Sequence, residues 1–313
     1  MALTIGVDVG GTKIAAGVVD EHGQVLATVR RQTPTHDPKA TELAIVEMIA
    51  ELSAAHDVTG VGIGAAGFVD AARATVLFAP NVAWRSEPLK HDIESQVLIP
   101  VVVENDANAA AWGEFQFGAG RDVDDLLLVT VGTGVGGGLV LDSSLYRGGF
   151  GLAGEIGHMR VMPGGHMCGC GNRGCWEQYA SGSALVREAR EVARSGSPQA
   201  ADLLARAEGD AAAIRGPLIT ESAQAGDGFA IELLAEVGRW LGEGIATLAA
   251  TLDPTMVVIG GGVSEAGDLL VEPAVQAFRS TLTGRRNRPE LEITLATLGN
   301  SAGVVGAADL ARR

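Results

Sequence analysis

Three cysteines lie within one short segment, and the chain contains no other cysteine. The segment reads Cys168-Gly-Cys170-Gly-Asn-Arg-Gly-Cys175, so glycines flank each sulfur atom. Closely spaced thiolates in glycine-rich turns are typical of a tetrahedral Zn²⁺ site. The alternative interpretation is three thiols without a metal. A fourth ligand would complete the shell, and the spacing leaves two upstream candidates, His158 and His166.

Three glycine-rich loops are predicted at strand ends, and together they favour phosphate binding. They span residues 10–13, 132–138 and 260–262. Runs of backbone N–H groups without side chains form concave anion sites, so two facing hairpins could hold a triphosphate. Thr12 and Thr133 add hydroxyl donors, and Asp8 adds a carboxylate for a Mg²⁺ shell. A single such loop is better explained as a tight turn, but three in this order indicate phosphate binding.

The second loop also contains a formal match to the dinucleotide fingerprint. Gly132, Gly134 and Gly137 fit the pattern G-x-G-x-x-G. That fingerprint requires a helix directly after the glycines, because the helix N-terminus meets the pyrophosphate. Residues 138–142 are instead typical of a strand, so the sequence argues against a nicotinamide cofactor. The Gly-Lys-Ser/Thr sequence of a P-loop does not occur either.

Asp106 is the strongest candidate for a general base. It follows a predicted buried strand at 100–104, and ligands gather at the carboxyl ends of such strands. The alternative is that Asn105 and Asp106 cap a helix predicted at 107–115. A cap explains one polar residue and leaves the rest of the run Glu-Asn-Asp-Ala-Asn at 104–108 unexplained.

The segment Asp8-Val-Gly-Gly-Thr-Lys13 resembles the first phosphate motif of actin-like sugar kinases, specifically the ROK family of repressors, open reading frames and kinases. The family signature C-x-C-G-x-x-G-C-x-E is complete and ends at Glu177. The resemblance covers essentially the whole chain. One departure is Ala66, where many members carry proline. The resemblance implies an α/β fold of two lobes, actin-like (ribonuclease H-like), with a cleft between the lobes.

The same resemblance implies lobe boundaries and an activity. The small lobe would be 1–118 plus about 300–313, and the large lobe 119–299 with a zinc-binding insertion near 158–177. The implied activity is ATP-dependent phosphorylation of a hexose, with Asp106 as the base and Mg²⁺ on the phosphates. The implied sugar-binding residues are Gly67, Asn81, Asn105, Asp106, Glu155, His158 and Glu177.

Two further residue sets complete the expected site. The nucleotide would contact Asp8, Gly10, Gly11, Thr12, Lys13, Thr133, Gly134, Gly261 and Gly262. The resemblance assigns His158 as the fourth zinc ligand, giving the set His158, Cys168, Cys170 and Cys175. Four protein ligands close the shell, so the zinc would be structural.

The predicted elements place these residues at the ends of strands. Strands at 3–8, 14–20 and 24–29 form an antiparallel meander with glycine turns, and an amphipathic helix follows at 38–55 with Leu43 on its apolar face. The strand, glycine hairpin and strand of 5–19 recur at 126–142, which indicates a weak internal repeat. Two α/β lobes are therefore expected.

Composition excludes several classes of function. The chain has 313 residues, a hydrophobic content of 47% and a net charge of −15. A chain this acidic repels nucleic acid and anionic membrane surfaces, and no apolar run approaches the length of a membrane span. The three clustered cysteines are not a secretory disulfide framework, and no signal peptide is recognised, so a cytoplasmic protein is expected.

The substrate expected is glucose, phosphorylated at its 6-hydroxyl to give glucose 6-phosphate and ADP. Asn81 with Trp84 and Pro88 resembles the corresponding segment of glucokinases in the family. The alternatives are a kinase for fructose, mannose or N-acetylmannosamine, or one that uses polyphosphate, whose relatives generally lack the cysteine motif. A sugar-responsive repressor is less expected, because Leu3 already begins the first strand and leaves no room for a DNA-binding domain. A homodimer or homotetramer is expected from the family.

Overall fold

The chain folds into strands and helices of mixed α/β type. The computed structural model describes residues 2–313, so Met1, the first residue of the predicted small lobe, lies outside the described residues. The strands found in this range are β1 (Leu3–Val9), β2 (Lys13–Val19), β3 (Val25–Gln32), β4 (Val58–Ala65), β5 (Phe68–Val69), β6 (Val76–Phe78), β7 (Arg85–Glu87), β8 (Val101–Asn105), β9 (Leu126–Val131), β10 (Val135–Leu141), β11 (Ser144–Tyr146), β12 (Met256–Gly260) and β13 (Glu292–Leu295).

The helices cover most of the remaining chain. The α-helices described are α1 (Pro38–Ser53), α2 (Leu89–Val97), α3 (Asp106–Phe117), α4 (Glu177–Ala180), α5 (Gly182–Arg194), α6 (Ala201–Arg206), α7 (Gly216–Gln224), α8 (Gly228–Leu252), α9 (Asp268–Thr281) and α10 (Ala302–Leu310). Within residues 2–313, none of them is both long and apolar enough to cross a membrane.

The first sheet has the strand order β3-β2-β1-β4-β8. β1, β2 and β3 form the predicted antiparallel meander, while β1 pairs with β4 and β4 with β8 in parallel. The register aligns Val9 with Ala65 and Ala65 with Asn105. The carboxyl ends of three parallel strands therefore meet at one edge of the sheet, where functional residues are expected.

The second sheet repeats this arrangement with the order β11-β10-β9-β12-β13. In each sheet the first three strands along the chain lie in reverse order, and two later strands extend the other side. The weak internal repeat predicted from the strand and glycine pattern is thus visible as repeated topology. A third small sheet, β5-β6-β7, was not predicted.

Helix α10 lies unusually close to the first sheet. An ideal Cβ atom on Gly6 would lie 1.8 Å from the carbonyl oxygen of Val304, and one on Gly62 would lie 1.7 Å from that of Ala307. Only glycine permits this approach of helix to strand. The approach places the first turn of α10 beside β1, so that a Cβ on Gly303 would lie 3.0 Å from Cγ of Asp8.

The predicted apolar face of α1, which also included Ala50, is wrong at two positions, because Leu43 and Ala50 are both exposed. Leu43 is 53% exposed, whereas Ile45, Met48 and Leu52 are buried. A helix face repeats every three or four residues, so the face formed by these three residues excludes Leu43. The start of the helix agrees with the prediction, since Pro38 is its first residue.

The chain divides into two compact units. The first comprises residues up to Leu128 together with Gly137–Gly154 and Ala296–Arg313, and the second comprises Val129–Gly136 and Glu155–Leu295. The first sheet and α10 belong to the first unit. The cysteine segment, α5 and α8 belong to the second.

Candidate active site

Asn105 and Asp106 lie where β8 becomes α3. The Asn105 side chain caps the helix, because its Oδ1 accepts a hydrogen bond from the backbone N–H of Asn108 at 3.0 Å. Its Nδ2 donates to the carbonyl oxygen of Gly67 at 3.0 Å. Asp106 is the first helical residue, and its Oδ1 accepts from the N–H of Ala107 at 2.9 Å. The capping role therefore belongs to Asn105, and the Asp106 carboxylate needs another explanation.

The pKa values of Asp8 and Asp106 are both raised. Burial raises the pKa of Asp106, although the N–H of Ala107 partly offsets this effect. Burial also raises the pKa of Asp8 to about 7, with a further contribution from the negative charge of Asp106 and a partial offset from Lys13. Two carboxyl groups with raised pKa values at one sheet edge are typical of a catalytic or metal-binding site.

The first glycine loop connects β1 and β2. The N–H of Gly10 donates to the carbonyl oxygen of Lys13 at 3.1 Å, and the Thr33 hydroxyl donates to the carbonyl oxygen of Gly10 at 2.7 Å. An ideal Cβ on Gly11 would lie 2.8 Å from Cβ of Asn81, so the structure brings these two predicted residues into contact. Thr12 accepts a backbone hydrogen bond from Thr33 at 3.1 Å.

The other two glycine loops follow neighbouring strands of the second sheet, β9 and β12. Thr133 and Gly134 form the turn before β10, where the N–H of Gly132 donates to the carbonyl oxygen of Gly134 at 3.0 Å. Because β10 follows the turn directly, the prediction that a strand and not a helix follows these glycines is confirmed. Gly261 has a φ of 87°, and Gly262 begins a short 3₁₀ helix.

The cysteine segment folds into a knuckle that brings four donor atoms together. Ligand atoms of His158, Cys168, Cys170 and Cys175 all lie within 4.8 Å of one another. Nδ1 of His158 lies 3.6 Å from Sγ of Cys168, and Sγ of Cys170 lies 3.6 Å from Sγ of Cys175. His166, the other candidate from spacing, instead packs its ring 5.4 Å from that of Tyr179.

This donor set fits zinc. With Zn–S bonds of about 2.3 Å, a tetrahedral shell places neighbouring sulfur atoms about 3.8 Å apart, close to the separation found here. Three thiols and one imidazole are ligands that zinc prefers, and a closed shell of protein ligands is characteristic of a structural site. The predicted grouping of the cysteines with His158 is therefore confirmed.

His158 faces carboxylates as well as sulfur. Its Nε2 lies 3.9 Å from Oε2 of Glu155, and its Nδ1 lies 3.8 Å from Oε1 of Glu177. An ideal Cβ on Gly134 would lie 2.5 Å from Oε2 of Glu177, so this carboxylate also borders the second glycine loop. The second unit therefore gathers Glu155, His158 and Glu177 around the knuckle.

The predicted sugar-binding residues are distributed over both compact units. The first unit holds Gly67, Asn81, Asn105 and Asp106, and the second holds Glu155, His158 and Glu177. The predicted nucleotide residues are distributed in the same way: Asp8, Gly10, Gly11, Thr12 and Lys13 lie in the first unit, and Thr133, Gly134, Gly261 and Gly262 in the second. Lys13 is exposed at the start of β2.

Sequence reasoning missed the role of Glu104. Its side chain is 1% exposed and pairs with two guanidinium groups, those of Arg73 and Arg147. The polar run at 104–108, where β8 passes into α3, is the only signal in the sequence, and nothing in the spacing connects Glu104 with either arginine.

Residues 4–313 match the ROK family. The chain belongs to the ROK family. It is 50% identical to a protein named glucokinase from Streptomyces coelicolor, and the alignment covers 100% of this chain and 98% of that protein. It is also similar to the crystal structure of a ROK family glucokinase from Streptomyces griseus in complex with glucose and AMPPNP. That likeness has a TM-score of 0.93 and 53% identity, and it covers 99% of each chain.

The family also contains regulators. The chain is 29% identical to the xylose repressor of Bacillus subtilis, and the alignment covers 97% of this chain and 75% of the repressor. The family assignment and the α/β fold of two lobes, of the actin-like type, are confirmed by these likenesses.

Proposed function

We propose that this ROK family chain is an ATP-dependent glucokinase that converts glucose and ATP to glucose 6-phosphate and ADP. The observation that carries the proposal is its similarity over 99% of its length to the Streptomyces griseus glucokinase, whose structure contains glucose and AMPPNP. The partly buried carboxyl group of Asp106, with its raised pKa, supports it independently, because phosphoryl transfer to an alcohol needs a base at the attacking hydroxyl.

Asp106 accepts the proton of the glucose 6-hydroxyl as that oxygen attacks the γ-phosphorus of ATP. The bond from the γ-phosphorus to the bridging oxygen then breaks, and ADP leaves. The raised pKa of Asp106 suits this role, because a base titrating closer to neutral pH accepts a proton more readily. The contact of Asp106 with the N–H of Ala107 fixes one carboxylate oxygen and leaves the other for the substrate.

The remaining sugar hydroxyls are assigned to carboxylates, amides and one imidazole, because such groups accept and donate hydrogen bonds in pairs. We assign this role to Gly67, Asn81, Asn105, Glu155, His158 and Glu177. The hydrogen bond of Asn105 with Gly67 and the proximity of His158 to both glutamates support the assignment.

The triphosphate is assigned to the glycine loops, whose backbone N–H groups lack obstructing side chains. The residues assigned are Gly10, Gly11, Thr12, Lys13, Thr133, Gly134, Gly261 and Gly262, with Asp8 in the shell of Mg²⁺. When bound, Mg²⁺ neutralises charge on the phosphates. Its charge would also favour the ionised form of Asp8, whose pKa is otherwise raised.

The zinc is structural in this proposal. His158, Cys168, Cys170 and Cys175 hold it, and the knuckle thereby fixes the positions of Glu155 and Glu177. Since Nδ1 of His158 faces the sulfur atoms, Nε2 remains available on the side of Glu155.

Several further properties form part of the proposal. The enzyme acts in the cytoplasm and forms a homodimer or homotetramer. It has no nucleic-acid or membrane partner, and the net charge of −15 supports this because it repels phosphate backbones and anionic lipid. The small lobe comprises 1–118 and about 300–313, and the large lobe 119–299.

A coupled assay with ATP and Mg²⁺ tests the proposal across glucose, mannose, fructose, N-acetylglucosamine and N-acetylmannosamine. We expect glucose to be phosphorylated well above the others, and Asp106→Asn to lose several orders of magnitude in kcat. If another hexose is phosphorylated faster than glucose, the proposed substrate is wrong but the proposed kinase activity stands. If glucose binds but no sugar is phosphorylated, the result would contradict the kinase activity and favour a role as a sugar sensor.

A further inference from the structure

Glu104 connects the segment that carries the proposed base to the rest of the first unit. Its Oε1 accepts hydrogen bonds from the backbone N–H of Asn105 at 2.9 Å and from Nδ2 of Asn108 at 3.1 Å. These two residues precede and follow Asp106 within the first turn of α3. A single carboxylate oxygen therefore holds the backbone at Asn105 and the helix at Asn108, with Asp106 between them.

Two arginines from distant parts of the chain hold the other oxygen. Nε of Arg147 lies 2.8 Å, and Nε of Arg73 lies 3.1 Å, from Oε2 of Glu104. Arg147 also donates through Nη1 to the carbonyl oxygen of Ala71 at 3.0 Å and through Nη2 to that of Asp70 at 2.9 Å. Nη1 and Nη2 of Arg147 are thus hydrogen bonded to backbone oxygens, which fixes the guanidinium, while its Nε forms an ion pair with Glu104 without the geometry of a hydrogen bond.

Arg73 is fixed by its backbone as well. Its carbonyl oxygen accepts a hydrogen bond from the N–H of Val103 on β8 at 3.0 Å, and its own N–H donates to the carbonyl oxygen of Asp70 at 3.1 Å. The 70–75 turn is therefore bonded to the strand that ends at Asn105. Oε1 of Glu104 therefore accepts two hydrogen bonds, and Oε2 forms ion pairs with two guanidinium groups that are held in place by other contacts.

We propose that Glu104, together with Arg147, is a positioning residue for phosphoryl transfer. It acts through Asn105 and Asp106 and does not touch the substrate. The inference rests on the proposed function, because it assigns Glu104 to the orientation of the proposed base. A carboxylate base is effective only when its oxygen lies within hydrogen-bond reach of the hydroxyl, and a displacement of about 1 Å can lower a rate about 100-fold.

The alternative is that Glu104 only stabilises the fold, as any buried ion pair does when one partner is removed. The chain offers a matched control for this alternative in Asp309. Asp309 is also buried, accepts a hydrogen bond from Nε1 of Trp112 on α3 at 2.9 Å, and pairs with two arginines, Arg312 and Arg313. Both carboxylates are thus bonded to α3, but only Glu104 contacts the turn that carries Asp106.

The experiment compares Glu104→Gln with Asp309→Asn in the full chain, with Asp106→Asn as reference. The quantities measured are kcat, the KM values for glucose and ATP, and Tm. We expect Glu104→Gln to lower kcat by about 10- to 100-fold while the KM for ATP changes by less than about 2-fold. Asp309→Asn lowers Tm and leaves kcat within about 2-fold of the wild type.

A second pair of variants keeps the test decisive if Glu104→Gln does not fold. Arg147→Lys retains a positive charge opposite Glu104, whereas Arg147→Met removes it, so the lysine variant should retain the higher kcat. Equal losses of kcat in Glu104→Gln and Asp309→Asn, or no loss in Glu104→Gln or Arg147→Met, would overturn the positioning role. If instead the wild type does not phosphorylate glucose, or Asp106→Asn keeps full activity, the proposed function itself fails.

Discussion

The Cys168 thiol donates a hydrogen bond to Oε1 of Glu177 at 3.0 Å. This contact joins a proposed zinc ligand to a proposed sugar ligand within one short segment. Burial raises the pKa of the Cys168 thiol, and its hydrogen bond to Glu177 raises it further. Zinc binding would replace the proton on sulfur and release Oε1 of Glu177 from this contact. The metal and the sugar carboxylate are therefore expected to be coupled.

Metal content distinguishes the two histidines near the knuckle. We expect the wild type to carry about one zinc per chain, as a closed shell of four protein ligands requires. His158→Ala removes a ligand and should lower the zinc content and Tm together. His166→Ala is the matched control and should change neither, because His166 lies outside the donor cluster. Elemental analysis of dialysed protein makes the measurement, and zinc loss in His166→Ala alone would contradict the assignment.

The pH dependence of kcat/KM for glucose follows from the two aspartates. Asp106 must be ionised to accept a proton, and burial raises its pKa above the ordinary value of about 3.9. Activity is therefore lost as the pH falls through this raised pKa, and the acidic limb should lie above the position expected for an ordinary aspartate. The negative charge of Asp106 in turn contributes to the raised pKa of Asp8, which is about 7. Rates measured from pH 4 to 9 with a pH-tolerant coupling system make the measurement, and a rate that stays constant down to pH 4 would contradict the prediction.

The sequence predicted those parts of the fold in which local pattern decides the structure. The meander of β1 to β3 was recognisable because apolar alternation and glycine turns coincide within thirty residues. The strands β5, β6 and β7 were missed because stretches of two or three residues are too short to show alternation. The orientation of α1 was misjudged at Leu43 because the helix carries apolar residues on more than one face, and packing decides which of these faces is buried.

The sequence predicted which residue types form the candidate site, but it did not predict which of those residues contact one another. Spacing could not choose between His158 and His166, and only the fold shows which ring reaches the sulfur atoms. The ion pairs of Glu104 were beyond the sequence for the same reason. Arg73 and Arg147 lie in separate loops, and the partner of a buried charge depends on tertiary packing.

The close approach of α10 to the first sheet predicts a strong effect of one added methyl group. Gly6→Ala would place Cβ 1.8 Å from a backbone oxygen of Val304, which cannot rotate away as a side chain can. We expect a loss of about 1–3 kcal/mol or more in the free energy of unfolding. Gly228→Ala is the control, because an ideal Cβ there meets no atom within 4 Å and the φ angle of Gly228 is not positive. Urea unfolding midpoints make the comparison, and equal midpoints for both variants would show that the helix can shift.

The second glycine loop offers a test of its contact with the sugar carboxylate. In Gly134→Ala the new methyl group would lie 2.5 Å from Oε2 of Glu177 and must displace that side chain, whereas in Gly132→Ala it meets nothing within 4 Å. Both substitutions place a methyl group in the proposed phosphate loop, so both should raise the KM for ATP. Only Gly134→Ala should also raise the KM for glucose, by about 10-fold if one charged hydrogen bond is lost. Steady-state kinetics with each substrate varied in turn makes the measurement, and an unchanged KM for glucose in Gly134→Ala would remove Glu177 from the sugar site.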